Sequence, residues 1–343
     1  MLTTIDNKKL QLIIQLSGKA IRDFLAQADA SKFKGEAHIA INAYHQNPSN
    51  YTDEKLLAYG TDMFEAINYP VRIELRGANN NGASQMVAKG IWGHKRQEAM
   101  LEIANHCENL GLGIHLKLAG TSSMEFNVEG VDKSLPIRFL QSSFDEVLNE
   151  MKYLPGPRID CRRTRLIIAA DGDGTIYDGP RVGQLPTLAE SPVKEPLCSY
   201  LLAGGVFMLV SGNDINRTFN RLMAALPKEV YCRVLIAANG GAELIYVNSL
   251  GGAKPIKDYK KKALDFIQGK TSHDPALKII YIGDDGATQG NDYPAFRAVG
   301  FKHSVLVAKQ FLPEFDPGLK SSYMGGLLQG TQKYIENFMS KIK

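Results

Sequence analysis

Two aspartates separated by a single residue lie near the middle of the chain, directly after an apolar run. Residues 166–168 are L-I-I, and residues 169–178 read A-A-D-G-D-G-T-I-Y-D, which contains Asp171 and Asp173. Asp-Gly pairs are common in turns, so this segment alone has an ordinary interpretation as a loop. It also has a chemical one, because one carboxylate can attack phosphorus while a second transfers protons.

Two further polar clusters follow apolar runs later in the chain. One is S-G-N-D from Ser211, and the other is G-D-D-G-A-T-Q-G-N-D, with Asp284, Asp285, Asn291 and Asp292. The carboxyl ends of strands in an open α/β sheet face the ligand crevice, so we expect the three clusters to converge on one site. Aspartates gathered there would repel one another unless a cation lay among them. Oxygen ligands without nearby His or Cys favour Mg²⁺.

The same residue types indicate how a phosphoryl group would be held. Ser211, the N–H of Gly212 and the N–H groups of 172–175 would bind its oxygens, and a lysine would offset their charge. The sequence therefore predicts a site for a small phosphorylated substrate.

The elements that position these clusters follow from the apolar pattern. Near-continuous apolar runs separated by helical segments are typical of a parallel sheet covered on both faces. The predicted strands are 165–170, 205–210, 233–238 and 278–282, and the predicted helices are 193–203, 214–226 and 258–269.

The first part of the chain has a different pattern, in which polar and apolar residues alternate as in half-buried antiparallel strands. Its predicted strands are 71–76, 85–92, 114–118 and 124–128, and its predicted helices are 8–28, 52–68 and 94–109. A helical stretch at 133–152 ends in L-P-G-P, which favours a domain boundary. We therefore predict an α/β protein with an α+β domain at 1–157 and a parallel-sheet domain at 158–343.

The composition of the chain limits the kinds of partner and location that we expect. The 343 residues carry a formal net charge of +4 without a Lys/Arg run longer than three, which gives nucleic-acid or membrane-surface binding little support. The four cysteines contain no CxxC pair, so zinc and disulfide frameworks are not expected. No stretch approaches the roughly 18 apolar residues of a membrane span, and no signal peptide is recognisable, so we expect a cytoplasmic protein.

The three clusters together resemble the motifs of the haloacid dehalogenase (HAD) superfamily of phosphotransferases over about 163–310. D-G-D-G-T is similar to its D-x-D-G-T signature, and Ser211 and G-D-D…N-D are similar to its second and fourth motifs, in the expected order. The resemblance implies a Rossmann-like core, Mg²⁺, and an aspartyl-phosphate formed on Asp171 with Asp173 as general acid/base. The metal ligands it implies are Asp171, Asp173, Asp284 and Asp285, with Asn291 and Asp292 in support. Gly172 departs from the bulkier residue usual at its position.

The fourth motif and the first domain resemble eukaryotic-type phosphomannomutases. The segment I-E-L-R-G-A-N-N-N-G-A-S is similar to the substrate-binding hairpin of their cap domain, which here precedes the core as in a permuted chain. The cap residues that the resemblance implies for substrate are Arg76, Asn79, Asn81, Ser84 and Lys89. The alternative is that 79–82 is a simple turn and Arg76 an exposed strand residue.

Two lysines are candidates for the phosphate-binding lysine of the third motif. Lys133 precedes a predicted helix in a segment that resembles the end of a phosphomannomutase cap, and Lys260 lies on the predicted helix before the fourth motif. Its spacing from Asp284 slightly favours Lys260, although 257–262 also fits a solvated helix face.

The function we expect is therefore Mg²⁺-dependent hydrolysis of a small phosphorylated metabolite, namely a sugar phosphate. A phosphomannomutase-like sugar phosphomutase is the alternative, and a catalytically degenerate ligand-binding member is a third.

Overall fold

The computed structural model describes residues 4–32, 36–52, 57–59, 71–76, 82–83, 85–90, 96–119, 123–179, 185–270 and 274–342. The chain divides into two units, Leu2–Gly130 and Val131–Lys343. Each unit has its own sheet, as the sequence predicts.

The first unit contains a five-stranded sheet in the order β2-β3-β5-β7-β6, and a separate short pair, β1 with β4. Its strands are β1 (Ile5–Asp6), β2 (Leu57–Tyr59), β3 (Val71–Arg76), β4 (Gly82–Ala83), β5 (Gln85–Gly90), β6 (Ile114–Ala119) and β7 (Ser123–Val128). Its helices are α1 (Asn7–Gln27), α2 (Glu36–Gln46) and α3 (Arg96–Asn109). All neighbours in the larger sheet are antiparallel except β2 and β3.

The predicted helix at 52–68 differs from what is observed. Within it the described residues 57–59 form β2, which pairs with β3 in parallel. The backbone there forms the edge strand of the sheet instead of a helix, because pairing with β3, which local propensity does not determine, decides its structure.

Alternation along these strands gives the sheet one apolar face, because successive side chains point to opposite sides. Leu75, Met86 and Phe126 are buried on that face. Helix α1, which contacts β3 and β5, carries a buried stripe that includes Ile13 and Ile21. This arrangement is the expected one for an amphipathic helix on a sheet.

The second unit contains a seven-stranded sheet in the order β12-β11-β10-β9-β8-β13-β14. Its strands are β8 (Leu166–Asp171), β9 (Phe207–Val210), β10 (Val234–Ala238), β11 (Glu243–Val247), β12 (Ala253–Pro255), β13 (Lys278–Gly283) and β14 (Ser304–Leu306). Its helices are α4 (Ser134–Glu150), α5 (Cys161–Thr164), α6 (Lys194–Leu202), α7 (Ile215–Met223), α8 (Tyr259–Ile267), α9 (Tyr293–Val299) and α10 (Leu328–Lys341). Strands β10, β9, β8, β13 and β14 run parallel, and β11 and β12 extend one edge antiparallel.

Strand β8 lies between β9 and β13, which brings three strand ends together. In the register Asp171 pairs with Val210, the residue before Ser211, and Ala170 pairs with Ile282, two residues before Asp284. The convergence of the three polar clusters predicted from the strand pattern is therefore realised in the backbone.

Helix α4 belongs to the second unit, although the proline-rich segment after it suggests a boundary at 157. The units divide after residue 130, which is 157 − 130 = 27 residues earlier. Helix α4 contacts α8 and α9 and buries a continuous apolar face that includes Phe139 and Phe144. A helix so covered by the second unit folds with it, whatever turn residues follow.

Among the described residues, no helix is both long enough and apolar enough to cross a membrane.

The extent of the second unit can be tested with two fragments. Residues 131–343 alone are expected to unfold cooperatively with an intact near-UV circular dichroism spectrum. Residues 158–343 are expected to lose that spectrum, because each large apolar side chain of α4 contributes about 1.5–3 kcal/mol on burial and a domain has only about 5–15 kcal/mol in total. Equal cooperativity of the two fragments would contradict this assignment.

Candidate active site

An ammonium group joins two of the strand-end carboxylates. Lys133 Nζ lies 2.5 Å from Asp171 Oδ1 and 2.7 Å from Asp292 Oδ1. Lys133 and Asp292 are almost fully buried, and Asp171 is 8% exposed. Because a buried charge is tolerated only when it is paired, these three side chains form one electrostatic unit.

The backbone before α4 holds Lys133 in place. Asp132 Oδ1 accepts hydrogen bonds from the N–H and the hydroxyl of Ser134. The loop packs against Gly241 so closely that a Cβ there would lie 2.3 Å from Asp132 O. Tyr259 OH in turn donates to Gly241 O at 2.6 Å. The position of Lys133 therefore depends on a tertiary contact between two loops that are distant in sequence, those of Asp132 and Gly241.

Asp292 is a structural acceptor. Its Oδ1 accepts from Tyr281 OH at 2.8 Å in addition to Lys133, and its Oδ2 accepts the backbone N–H groups of Asp284 and Asp285 at 3.0 and 3.1 Å. It thereby fixes the loop that follows β13. Since its oxygens are already bonded, its main effect on the site is to hold the neighbouring groups.

Asp285 organises the same loop rather than the metal-facing cluster. Its carboxylate accepts the N–H of Ala287 at 3.3 Å and that of Asn291 at 3.0 Å. Asn291 contributes this backbone bond, in keeping with a supporting position. The Asp285 carboxylate therefore connects the two ends of its own loop, residues 285–291.

Asp284 faces the loop of Asp171 and Asp173. A Cβ at Gly174, where φ is +78°, would lie 2.4 Å from Asp284 Oδ2, so only glycine allows this approach. Oxygen atoms of Asp171, Asp284 and Asp292 all lie within 4.8 Å of one another, which makes these three the candidate metal-holding group among the described residues. Asp173 and Asp285, also predicted as ligands, are not in this group.

The carboxylates of this cluster repel one another, and the Lys133 ammonium offsets only part of that repulsion. Burial raises the pKa of Asp171 to about 7, with Lys133 opposing and Asp292 adding to the shift. Burial also raises the pKa of Asp284, and Asp292 and Asp171 add to it. Burial lowers the pKa of Lys133, but Asp171 and Asp292 outweigh that effect and the net shift is upward.

The donor set fits a divalent cation. Three carboxylates and one ammonium leave 3 − 1 = 2 uncompensated negative charges when all are ionised. The ligand atoms of this group are carboxylate oxygens, which Mg²⁺ prefers. The acidic cluster can therefore hold a metal ion.

Asp173 has entirely different partners. Its Oδ1 accepts from Arg221 Nη1 at 2.6 Å and its Oδ2 from Asn213 Nδ2 at 3.0 Å, and its side chain is 33% exposed. Arg221 is 1% exposed and stacks 3.8 Å over the ring of Tyr177. Its remaining nitrogens donate to the carbonyls of Asp178 and Pro186. These contacts hold the guanidinium group in place, and the guanidinium group in turn orients the Asp173 carboxylate.

Ser211 lies where the second cluster was predicted. It is 2% exposed, and its hydroxyl accepts the N–H of Asn213 at 3.1 Å. The side-chain amide of Asn213 donates both to this hydroxyl, at 3.3 Å, and to Asp173. Ser211 and Asp173 are therefore linked through Asn213, and Gly212 lies between Ser211 and Asn213 in the chain.

The two candidate lysines have different surroundings. Lys133 contacts Asp171, whereas Lys260 is exposed on α8 and lines a separate surface pocket of about 610 Å³ with Leu244, Ile256 and Leu264. The spacing that slightly favours Lys260 counts residues along the chain, but here the lysine beside the aspartates comes from a segment that precedes them.

The residues predicted for substrate are only partly described. Arg76 is buried on β3, donates to Gln85 Oε1 at 2.9 Å and lies 3.9 Å from Glu125 Oε1, so it is not an exposed strand residue. Lys89 lies on β5. Three of them fall outside the described residues: Asn79, Asn81 and Ser84.

Sequence reasoning gave no role to Arg221, Asn213 or Tyr281. Arg221 had one available signal, because it stands three residues after the buried Thr218 and next to the buried Leu222, on the apolar stripe of α7. A charged residue at such a position has to find a buried partner. Asn213 stands inside the quoted S-G-N-D cluster but was not singled out.

No protein-family model and no curated protein matches the chain. Among solved structures the chain is similar to an IMP-bound IMP nucleotidase of Plasmodium falciparum, with 10% identity over 58% of this chain and 70% of that one and a TM-score of 0.34. It is also similar to a 3-deoxy-D-manno-octulosonate 8-phosphate phosphatase of Moraxella catarrhalis in complex with magnesium, phosphate and KDO, with 17% identity over 57% and 92% of the two chains and a TM-score of 0.28. TM-scores this low do not establish function, which is therefore argued from the geometry of the site.

The raised pKa of Asp171 predicts a pH-dependent stability. Without metal, the folded state keeps a proton that the unfolded state loses above its ordinary value of 3.8, so stability falls as pH rises from about 4 to about 7. Asp171→Asn removes this loss. In urea unfolding, the free energy of unfolding of the variant relative to wild type should therefore increase as pH rises, by up to about 1.4 kcal/mol per pH unit.

Mg²⁺ provides the control for this experiment. Mg²⁺ binds the ionised carboxylates, so it should raise the free energy of unfolding of wild type more at pH 8 than at pH 5. The free energy of unfolding of Asp284→Asn should change little when Mg²⁺ is added. A wild-type stability that rises relative to Asp171→Asn over the same range would contradict the assignment.

The two lysines provide a matched pair. Lys133→Met leaves two buried carboxylates without their cation and should lower the free energy of unfolding by about 3–5 kcal/mol at pH 8. Lys260→Met changes an exposed side chain and should stay within about 0.5 kcal/mol of wild type. Urea unfolding followed by circular dichroism measures both. Equal effects would mean that the Lys133 contacts contribute nothing.

Proposed function

We propose that this chain is a Mg²⁺-dependent phosphohydrolase of the HAD superfamily that removes phosphate from a small phosphorylated metabolite, a sugar phosphate. One observation carries the proposal: two aspartates separated by a single residue have separate partners. Asp171 is bonded to Lys133 within the acidic cluster, and Asp173 is bonded to Arg221 and Asn213. Such different surroundings suit two carboxylates with two different tasks.

Asp171 is the nucleophile in this proposal. One carboxylate oxygen forms a bond to phosphorus as the bond from phosphorus to the ester oxygen breaks, which leaves an aspartyl-phosphate and an alcohol. Lys133, 2.5 Å from Asp171 Oδ1, offsets the charge of the phosphoryl oxygens. Ser211 supplies a hydroxyl on the neighbouring strand end for the same oxygens.

Asp173 is the general acid and base. It donates a proton to the departing ester oxygen and then takes one from the water that hydrolyses the aspartyl-phosphate. Its partial exposure allows it to reach solvent and substrate. Arg221 and Asn213 hold the Asp173 carboxylate in one orientation, and the substrate has to compete with the Arg221 contact to reach it.

Mg²⁺, when bound, would be held by Asp171 and Asp284 and would neutralise charge on the phosphoryl oxygens. Asp292 and Asp285 hold the backbone that presents Asp284. A purely ligand-binding chain has no use for this crowding of buried carboxylates, which disfavours the degenerate alternative.

Phosphate release with Mg²⁺ on a panel of phosphomonoesters tests the proposal. Asp171→Asn is expected to abolish turnover, because it removes the nucleophile. Asp173→Asn is expected to lower kcat by about 10²–10⁴-fold, the usual contribution of a general acid. Asp23→Asn, an exposed change on α1, is the matched control and should leave the rate unchanged.

Three outcomes would count against this assignment. Wild type that hydrolyses no ester of the panel is not such a phosphohydrolase. Interconversion of hexose 1- and 6-phosphates without phosphate release would identify a mutase. Activity that survives Asp171→Asn belongs to another site or to a contaminant.

A further inference from the structure

A surface pocket of the second unit contains residues to which the proposed hydrolysis gives no role. The pocket has a volume of about 610 Å³ and is lined by residues of β11, of β12, of α8 and of the turn before α8. Small-molecule sites usually have a volume of about 300–1,000 Å³. The pocket is therefore large enough to hold a small organic ligand.

The walls of the pocket are mainly apolar. The apolar side chains that line it include Leu244 and Ile245 of β11, Pro255 of β12, and Tyr259 and Leu264 of α8. Pro255 is exposed and Leu264 is half-buried, so this apolar surface can be reached from solvent. A ligand with an apolar body would remove it from water, which favours binding.

Positive charge is concentrated beside these walls. Residues 254–262 read K-P-I-K-D-Y-K-K-K, with five lysines and one aspartate. Two of these lysines, Lys260 and Lys261, line the pocket and are exposed, and we refer to them as the pocket lysines. Of the five, only Lys262 has an ion-pair partner within the described part of the chain, Glu146 on α4.

Two carboxylates line the same pocket, those of Glu243 and Asp258. Among the described residues, neither of them forms an ion pair with a pocket lysine, although both belong to the same lining. The ammonium groups of the pocket lysines are therefore available to an acidic group from outside the chain.

The pocket lysines also stand at an unfavourable place in their helix. They lie in the first turn of α8, where the helix dipole disfavours positive charge. That turn contains no acidic residue, and the side chain of Asp258 does not cap it. Breaks in such local rules are expected at functional sites, and a bound anion would offset this one.

The edge of the sheet beside the pocket does not favour a peptide as the ligand. Strand β12 is the edge strand, is three residues long and contains Lys254 and Pro255. Lysine and proline on an edge strand impede the pairing of a further strand. The pocket therefore fits a small molecule better than an extended chain.

We propose that this pocket binds a small amphiphilic anion. The apolar body of the ligand lies against Leu244 and Leu264, and its acidic group pairs with the pocket lysines. That group is a carboxylate or a phosphate, since the ammonium group of lysine binds either one. The site goes beyond the proposed hydrolysis, which uses neither pocket lysine.

Two fluorescent probes with the same apolar body test the proposal. One is 8-anilinonaphthalene-1-sulfonate, and the other is N-phenyl-1-naphthylamine, which lacks the acidic group. The sulfonate should bind wild type, and Lys260→Gln/Lys261→Gln should raise its Kd at least about tenfold, because both ammonium groups are removed. The Kd of the uncharged amine should change less than about twofold.

The matched control is Lys320→Gln/Lys333→Gln, which removes two exposed lysines of the second unit that do not line the pocket. It should leave both Kd values unchanged. Leu264→Trp fills the pocket and should raise both, and circular dichroism verifies that each variant is folded. The proposal is overturned if wild type does not bind the sulfonate, if the two double variants change its Kd equally, or if Leu264→Trp changes neither Kd.

Displacement of the bound sulfonate identifies the acidic group of the ligand. Displacement by octanoate identifies a carboxylate, displacement by octyl phosphate identifies a phosphate, and displacement by both identifies a site for either. Octanol and inorganic phosphate each lack one part of the ligand and should not displace the probe at the same concentrations. If neither octyl acid displaces it, or if inorganic phosphate does so as well as octyl phosphate, the proposal is wrong.

Discussion

The ammonium group of Lys133 between Asp171 and Asp292 is the interaction on which the second unit's site depends. Two carboxylates at the end of a buried sheet repel each other, and burial makes each ionised form expensive. A cation bonded to both makes their approach possible. Asp292 can then hold the loop after β13 through two backbone N–H groups, and Asp284 comes to face the glycine loop of Asp171.

The ammonium group of Lys133 neutralises only part of the negative charge of the cluster, and the remaining charge gives the cluster its affinity for a further cation. A fully neutralised group of side chains would be a structural salt bridge with no affinity for a further cation. Here one ammonium serves three acidic groups, and the raised pKa of Asp171 expresses the remaining imbalance. Strongly perturbed carboxyl groups with named charge partners are typical of functional sites. In the proposed hydrolysis, Asp173, which is bonded to Arg221 outside this cluster, acts as acid and base independently of Asp171.

The strand pattern was predictable because parallel strands buried on both faces have to be almost continuously apolar. Strands β8, β9, β10 and β13 lie within two residues of their predicted ends, and α6, α7 and α8 within three. Strands β11, β12 and β14 were not predicted. Two of them are short, and β11 and β12 pair antiparallel at an edge, where apolar continuity is weak. The convergence of the polar clusters followed from this pattern because β8, β9 and β13 are neighbours.

Sequence alone determined the candidate carboxylates and their place at the strand ends, since residue type, apolar periodicity and sheet geometry are all local or topological properties. Tertiary structure alone decided which groups meet. Lys133 reaches Asp171 because α4 packs on the second unit and its leading loop contacts Gly241, and Arg221 reaches Asp173 because one face of α7 is covered. Contacts between segments this distant depend on packing across the whole unit, which spacing along the chain does not encode.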